Sequence, residues 1–195
     1  CNAVIDQMVV TITPAPTAIP GPAQSVCANN ATINLNGSVT IATGGSWTSS
    51  GTGVFGNANA LATTYTPSAK YIKARTVTLT LTTTGNGTCS AVTGTTTITI
   101  TPAPIANAGS DQSVCANNAT VSLSGAVTVA SGGTWTSTGT GTFSPSTNAL
   151  NATYKPSAAD IAASTVTLTL TTTGNGNCNA VIDQMVVTIT PAPTA

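Results

Sequence analysis

The sequence predicts an all-β protein of two β-sandwich units in tandem, arranged as an elongated rod. Three observations carry this expectation: a repeat of domain size, stretches of threonine alternating with apolar residues, and a near absence of charge. The repeat comes first. Residues 1–18 (CNAVIDQMVVTITPAPTA) recur letter for letter as residues 178–195, and two diverged copies of one unit lie between them. SVCANNAT at 25–32 returns at 113–120, and TVTLTLTTTGNG at 76–87 returns at 165–176. The offset is 88 before Phe55 and 89 after it, so the second copy carries one additional residue near Pro145. The expected organisation is the last strand of a truncated preceding repeat (1–16), a first unit (17–104), a second unit (105–193) and the start of the next linker (194–195). The identical overlap implies a chain cut from a longer tandem array. A period near 88 residues exceeds the roughly 20–50 of most solenoid repeats and suffices for one modest core per unit.

The elements follow in order. In each unit a first strand region carries one cysteine, Cys27 or Cys115, and an Asn-Asn turn follows it. The segments TINL (32–35) and TVSL (120–123) alternate as half-buried strands do. Trp47 and Trp135 fall where an immunoglobulin-like sandwich places the core aromatic of its third strand, and Phe55, Phe143, Tyr65 and Tyr154 complete the candidate core. Single helical turns are expected after Pro67 and Pro156. The clearest strand is 76–82, with Val77, Leu79 and Leu81 on one face and threonines on the other; Val166, Leu168 and Leu170 repeat it. Gly85-Asn86-Gly87 turns the chain into the last strand, 97–101, whose counterpart is 187–190. Pro102-Ala103-Pro104 and Pro191-Ala192-Pro193 close the units as short, stiff joints.

Composition excludes whole classes of function. There are 4 Lys and Arg, 4 Asp and Glu and no His in 195 residues. Nucleic-acid binding needs a basic footprint and anionic membranes need Lys/Arg clusters; neither exists here. No apolar run is long enough to span a membrane. Threonine, with 42 residues, supplies the polar surface instead. Catalysis has almost no support, because there is no His to pair with Ser or Cys, no recurring carboxylate pair, and no helix after the Gly-x-Gly turns to hold a phosphate. No catalytic residue, cofactor or metal site is expected. The absence of His and of CxxC spacing argues against zinc, and Asp111, Asp160 and Asp183 are too scattered for a repeat-wide calcium site.

A resemblance enters at 104–114 (PIANAGSDQSV), which looks like the opening strand of PKD-type immunoglobulin-like domains. The unit as a whole, with Cys in the first strand region and Gly-Asn-Gly-x-Cys before the last strand, resembles tandem domains of giant Bacteroidota surface proteins, among them gliding adhesins exported by the type IX system. The resemblance covers both units and implies an immunoglobulin-like fold and an extracellular, bacterial cell-surface location. The first unit departs from it, because AIPGPAQ (18–24) lacks the Asn-Ala-Gly-x-Asp stretch.

Cys27, Cys89, Cys115 and Cys178 are candidate disulfide residues, which implies an oxidising compartment; Cys1 is the leftover partner of a preceding unit. Pairing within each unit joins Cys27 to Cys89 and Cys115 to Cys178. In an immunoglobulin-like sandwich these positions fall at opposite poles, and bridging requires Cα atoms within about 7 Å. Pairing of Cys27 with Cys178 is therefore the alternative. The threonine rows read as the wet faces of twisted strands rather than an ice-binding array. The Asn-x-Thr/Ser triplets read as chance in so Asn- and Thr-rich a chain, and Lys155 faces Thr66 in the other copy, against a repeat-wide isopeptide bond. The expected function is a non-catalytic, load-bearing stalk of a long adhesin, with a self-associating structural polymer as the alternative and a carbohydrate-binding module as a third reading. Expected partners are neighbouring repeats, laterally associated copies, and a surface glycan or abiotic surface touched by regions outside this segment.

Overall fold

The computed structural model describes residues 1–193. The linker expected at 194–195 lies outside the described residues. Tertiary contacts divide the chain into two compact units, Cys1–Val26 with Ala31–Ile100, and Cys27–Asn30 with Thr101–Ala195.

The first unit contains β1 (Thr17–Ile19), β2 (Gln24–Cys27), β3 (Ile33–Asn36), β4 (Ser38–Thr40), β5 (Gly44–Ser49), β6 (Val54–Phe55), β7 (Ala62–Thr66), α1 (Ala69–Ala74), β8 (Thr76–Thr84) and β9 (Thr93–Thr101). They form a four-stranded sheet β2-β9-β8-β5, a three-stranded sheet β3-β7-β6 and the pair β1-β4. In β8 the even-odd alternation buries Val77, Leu79, Leu81 and Thr83 and leaves the intervening threonines half exposed. That half-buried face is the physical reason β-branched threonine fits every second position.

The second unit repeats the plan with β10 (Ile105–Asn107), β11 (Gln112–Cys115), β12 (Val121–Ser122), β13 (Ala126–Thr128), β14 (Gly132–Ser137), β15 (Thr142–Ser144), β16 (Thr153–Lys155), α2 (Ala158–Ala163), β17 (Thr165–Thr173) and β18 (Ile182–Thr190). Its sheets are β11-β18-β17-β14, β12-β16-β15 and the pair β10-β13. β17 pairs antiparallel with β14 and β18, whereas β11 runs parallel to β18 with Cys115 opposite Thr190. The core between the sheets joins Val121 and Tyr154 of one to Trp135, Leu168, Leu170, Met185 and Val187 of the other.

The tryptophans sit alike in both units. Trp47 and Trp135 are buried, and each indole N–H donates to a carbonyl at 3.3 Å, Leu61 and Leu150 respectively. Glycine is required beside them: a Cβ on Gly37 or Gly125 would come within 2.8 Å of the indole. Tyr65 and Tyr154 are fully buried. Phe55 and Phe143, expected in the core, are instead half-buried, because each lies on a short edge strand and tilts over its tyrosine at 4.7 and 4.9 Å.

Residues 1–16, expected as a last strand, form no strand here, although the same letters form β18 in the second unit. A strand needs flanking strands, and β9 already fills the corresponding place beside β8 in the first unit. Val4, Met8, Val9 and Ile12 are consequently exposed.

Each unit meets the same backbone needs with different residues. In the second, the Asp183 carboxylate accepts the Ala108 N–H at 2.7 Å, and Asp111 accepts the Val186 N–H at 2.8 Å. In the first, the counterpart of Ala108 is Pro20, which has no N–H, and the counterpart of Asp183 is Gly94. A Cβ at Gly94 would run into the Ala18 carbonyl. The Asn-Ala-Gly-x-Asp stretch thus has a local meaning: Asn107 Oδ1 accepts the Gly109 N–H at 2.9 Å, Gly109 holds φ +89, and Asp111 ties the segment to β18.

Candidate functional site

The feature that stands apart from core packing is a disulfide between Cys27 and Cys178, with Cα atoms 5.0 Å apart across 151 residues of sequence. Two turns present the sulfurs. Cys27 ends β2, its carbonyl accepts the Asn30 N–H at 3.0 Å, and the Ala28 N–H donates to the Thr101 carbonyl at 2.9 Å. Cys178 sits in the hairpin between β17 and β18. There Gly174 and Gly176 take φ of +65 and +59, Asn175 Nδ2 donates to the Thr172 carbonyl at 3.0 Å, and the Cys178 N–H donates to Asn175 at 3.0 Å. Positive φ favours glycine at both places, and at Gly174 a Cβ would also strike the Ser131 hydroxyl. The buried Thr172 hydroxyl accepts the Val181 N–H at 2.9 Å and closes the hairpin.

Both sulfurs lie 3.6 Å from the Pro102 carbonyl oxygen. Beside them the Asn29 amide reads the backbone of Asn179, donating to its carbonyl at 3.0 Å and accepting its N–H at 3.2 Å; Asn179 Nδ2 returns a bond to the Asn29 carbonyl at 3.3 Å. Closing a loop of this length contributes about 5 kcal/mol in the chain-entropy description. The pairing within each repeat is not found. Cys27 pairs with Cys178, and Cys89 and Cys115 are free thiols, as is the exposed Cys1. The physical reason is placement: within each sequence repeat the two sulfurs lie against different Thr-Pro-Ala-Pro segments, Cys27 at Pro102 but Cys89 at Pro14, and Cys178 at Pro102 but Cys115 at Pro191.

A second cluster is centred on Asp160, which the sequence shows only as one of four scattered acids. Its carboxylate, 4% exposed, accepts the N–H groups of Thr140 (3.0 Å), Gly141 (3.0 Å) and Ser157 (2.9 Å) and the Tyr154 hydroxyl (2.7 Å). Ser157 and Asp160 form a reciprocal capping box at the start of α2. Burial pushes this carboxyl up, but the bonds from Ser157, Tyr154 and Thr140 outweigh it and hold it below the usual carboxylate range. Burial, with Asp160 alongside, pushes the Tyr154 hydroxyl up. Every lone pair that counts is committed to local groups, so the cluster is a brace for the turn. The signal that would have exposed it is Ser-x-x-Asp at a helix start, facing Gly-Thr-Gly.

Among the described residues, no group of three or more His, Cys, Asp or Glu could hold a metal ion, and no helix is long and apolar enough to cross a membrane. A pocket of about 220 Å³ near α2 is lined by Asn117, Asn118, Thr120, Lys155 and Ile161 among others, without an aromatic platform.

No known family profile and no curated protein matches the chain. Among solved structures, it is similar to Drosophila N-cadherin EC1-4 at 14% identity and TM-score 0.42, over 91% of this chain and 50% of that one. Mouse cadherin-23 EC22-24 gives 14% and 0.38, over 90% and 67%. Sidekick-1 immunoglobulin domains 1-5 give 14% and 0.41, over 91% and 39%. The class that the strands and their order define is a tandem of all-β, immunoglobulin-like sandwich units.

Proposed function

We propose that these units, with boundaries near 17–104 and 105–193, are non-catalytic stalk repeats of a long, extracellular cell-surface adhesin, arranged as a rod that holds a binding region outside this segment away from a bacterial surface. The observation that carries this reading is the Cys27–Cys178 bond, which ties a cysteine of one sequence repeat to a cysteine of the next. Tension on such a chain meets a covalent bond in addition to sheet hydrogen bonds. A surface with few titrating groups supports the same reading, since salt and pH leave it little altered. Force spectroscopy on the oxidised and reduced chain tests it. Oxidised protein should show a shorter contour-length gain and a higher unfolding force; identical traces would sink the load-bearing role. The thermal transition of the bonded unit should also fall on reduction, by the equivalent of about 5 kcal/mol.

A second reading, lateral association into a filament or sheath, is favoured by one observation. The edge strands β5 (GGSWTS) and β14 (GGTWTS) carry no charged side chain to discourage pairing with a further sheet. Electron microscopy of the protein on its cells separates the two: single threads with a distinct tip support the stalk, and ordered bundles or a lattice support the polymer.

A further inference from the structure

The two described thiols left over in the units occupy the same seats as the two bonded cysteines. Cys89 is the copy of Cys178, and the hairpin that presents it is the same. Gly85 and Gly87 take φ of +66 and +61, Asn86 Nδ2 donates to the Thr83 carbonyl at 3.2 Å, and the Cys89 N–H donates to Asn86 at 3.1 Å. Cys115 is the copy of Cys27: it ends β11, its carbonyl accepts the Asn118 N–H at 2.9 Å, and the Ala116 N–H donates to Thr190 at 2.8 Å.

The second observation concerns what each thiol touches. Pro14, Pro102 and Pro191 are the same position in three copies of the Thr-Pro-Ala-Pro segment. At Pro102 both a Cys27-type and a Cys178-type sulfur lie 3.6 Å from the carbonyl, and they are bonded to each other. The Cys89 thiol lies 3.8 Å from the Pro14 carbonyl, and the Cys115 thiol lies 3.7 Å from the Pro191 carbonyl. Each of these segments therefore holds one sulfur of the pair, complementary to the one held at the other. Exposure agrees: bonded Cys27 is fully buried, whereas Cys115, on the same turn, is not. The recognising amide is also in place, because Asn117 repeats Asn29 and is exposed. Ser90 replaces Asn179, yet two of the three bonds in the bonded pair use the backbone of residue 179, which serine also has.

We infer that Cys115 and Cys89 form the same disulfide with one another between copies of this repeat, Cys115 of one copy bonding Cys89 of the next. The partner is thus a further copy, in the same polypeptide or in another. With glutathione disulfide as oxidant, the Cys115 thiolate attacks one of its sulfurs and expels a glutathione thiolate. A Cys89 thiolate then attacks the Cys115 sulfur of the mixed disulfide and expels the second. Two protein thiols are oxidised, one glutathione disulfide is reduced, and the two protons end on the two glutathione thiols. This holds whether the array serves as a stalk or as a polymer.

The test uses the 195-residue chain with Cys1→Ser in a glutathione redox buffer. A ladder of disulfide-linked oligomers should form, and peptide mapping should return Cys89–Cys115 as the new bond. Cys89→Ser alone and Cys115→Ser alone should each lose the ladder, and mixing the two variants should restore a heterodimer and nothing longer. Joining a second copy of 19–195 after Ala195 distinguishes the sources: a bond within one polypeptide forms equally at any dilution, and a bond between polypeptides declines with dilution. Glutathione adducts without a ladder, or Cys89–Cys89 and Cys115–Cys115 bonds as abundant as the mixed bond, would overturn the inference. Retention of the native Cys27–Cys178 bond in every variant confirms that the fold survived.

Discussion

The two units share a fold but brace the turn before the long strand in opposite ways. The second places Asp160 at the start of α2, where one carboxylate accepts three backbone N–H groups and the Tyr154 hydroxyl. The first places Tyr71 at that position, and its hydroxyl reaches out to the Ser50 carbonyl at 2.5 Å. Ser68 then makes no cap bond, and the buried Tyr65 hydroxyl has no hydrogen-bond partner among the described residues. Both solutions need a glycine beneath: a Cβ on Gly51 would strike the Tyr71 ring, and one on Gly139 would strike the Asp160 carboxylate. A repeat therefore conserves the space at a position and lets the chemistry filling it diverge. A buried charge is tolerable here only because every one of its contacts is a donor.

The sharpest way to break the contrast is Asp160→Ala. It leaves three N–H groups and a tyrosine hydroxyl without their acceptor, and should cost the second unit about 3 kcal/mol while leaving the first unchanged. Two-transition denaturant unfolding of the chain reads both at once. Acid gives the same asymmetry without a mutation. The Asp160 pKa is lowered by folding, so its contribution is complete above the unfolded carboxyl pKa and is lost as pH falls through the folded value. The second unit should melt earlier on acidification, and the first, with no acidic residue between Asp6 and Asp111, should not; calorimetry between neutral and strongly acidic pH checks it. The converse substitution, Tyr71→Asp, supplies an acceptor for Tyr65 and a capping box for α1. It should stabilise the first unit by about 1 kcal/mol at neutral pH and make it acid-sensitive. The smallest effect is one the units share. Arg75 and Ser164 end α1 and α2 at φ +64 and +60, where glycine is the natural occupant. Arg75→Gly and Ser164→Gly should each raise the melting temperature slightly, by under about 1 kcal/mol, and a loss of stability would show that the side chains contribute more than the backbone strain removes.

How much of this was readable beforehand depended on whether the information was periodic. β8 and β17 could be placed from Val-Thr-Leu-Thr-Leu alone, because a half-buried strand must alternate. Trp47 and Trp135 could be assigned to the core because they fall where an immunoglobulin-like sandwich places the aromatic of its third strand. The pairing of Cys27 with Cys178 was open, because loop spacing does not say at which end of a sandwich a turn emerges. Asp160 looked like one of four scattered acids; its partners come from three separate segments, and only folding gathers them. Residues 1–16 form no strand while the same letters form β18 beside β17 and β11, because the letters of a strand do not supply its neighbours.

The exchange of Ala108 and Asp183 for Pro20 and Gly94 bears on how a chain of near-identical units avoids tangling while it folds. Neighbouring copies emerge together and can trade strands, the characteristic misassembly of tandem repeats. A β18-type strand entering the first unit would bring an aspartate against Pro20, which offers no N–H, and against the Ala18 carbonyl that already crowds Gly94. Segment 1–16 carries that aspartate as Asp6. The two units therefore differ at the seat a traded strand would fill, so that an exchange of β18 for β9 yields a first unit with a charge it cannot satisfy.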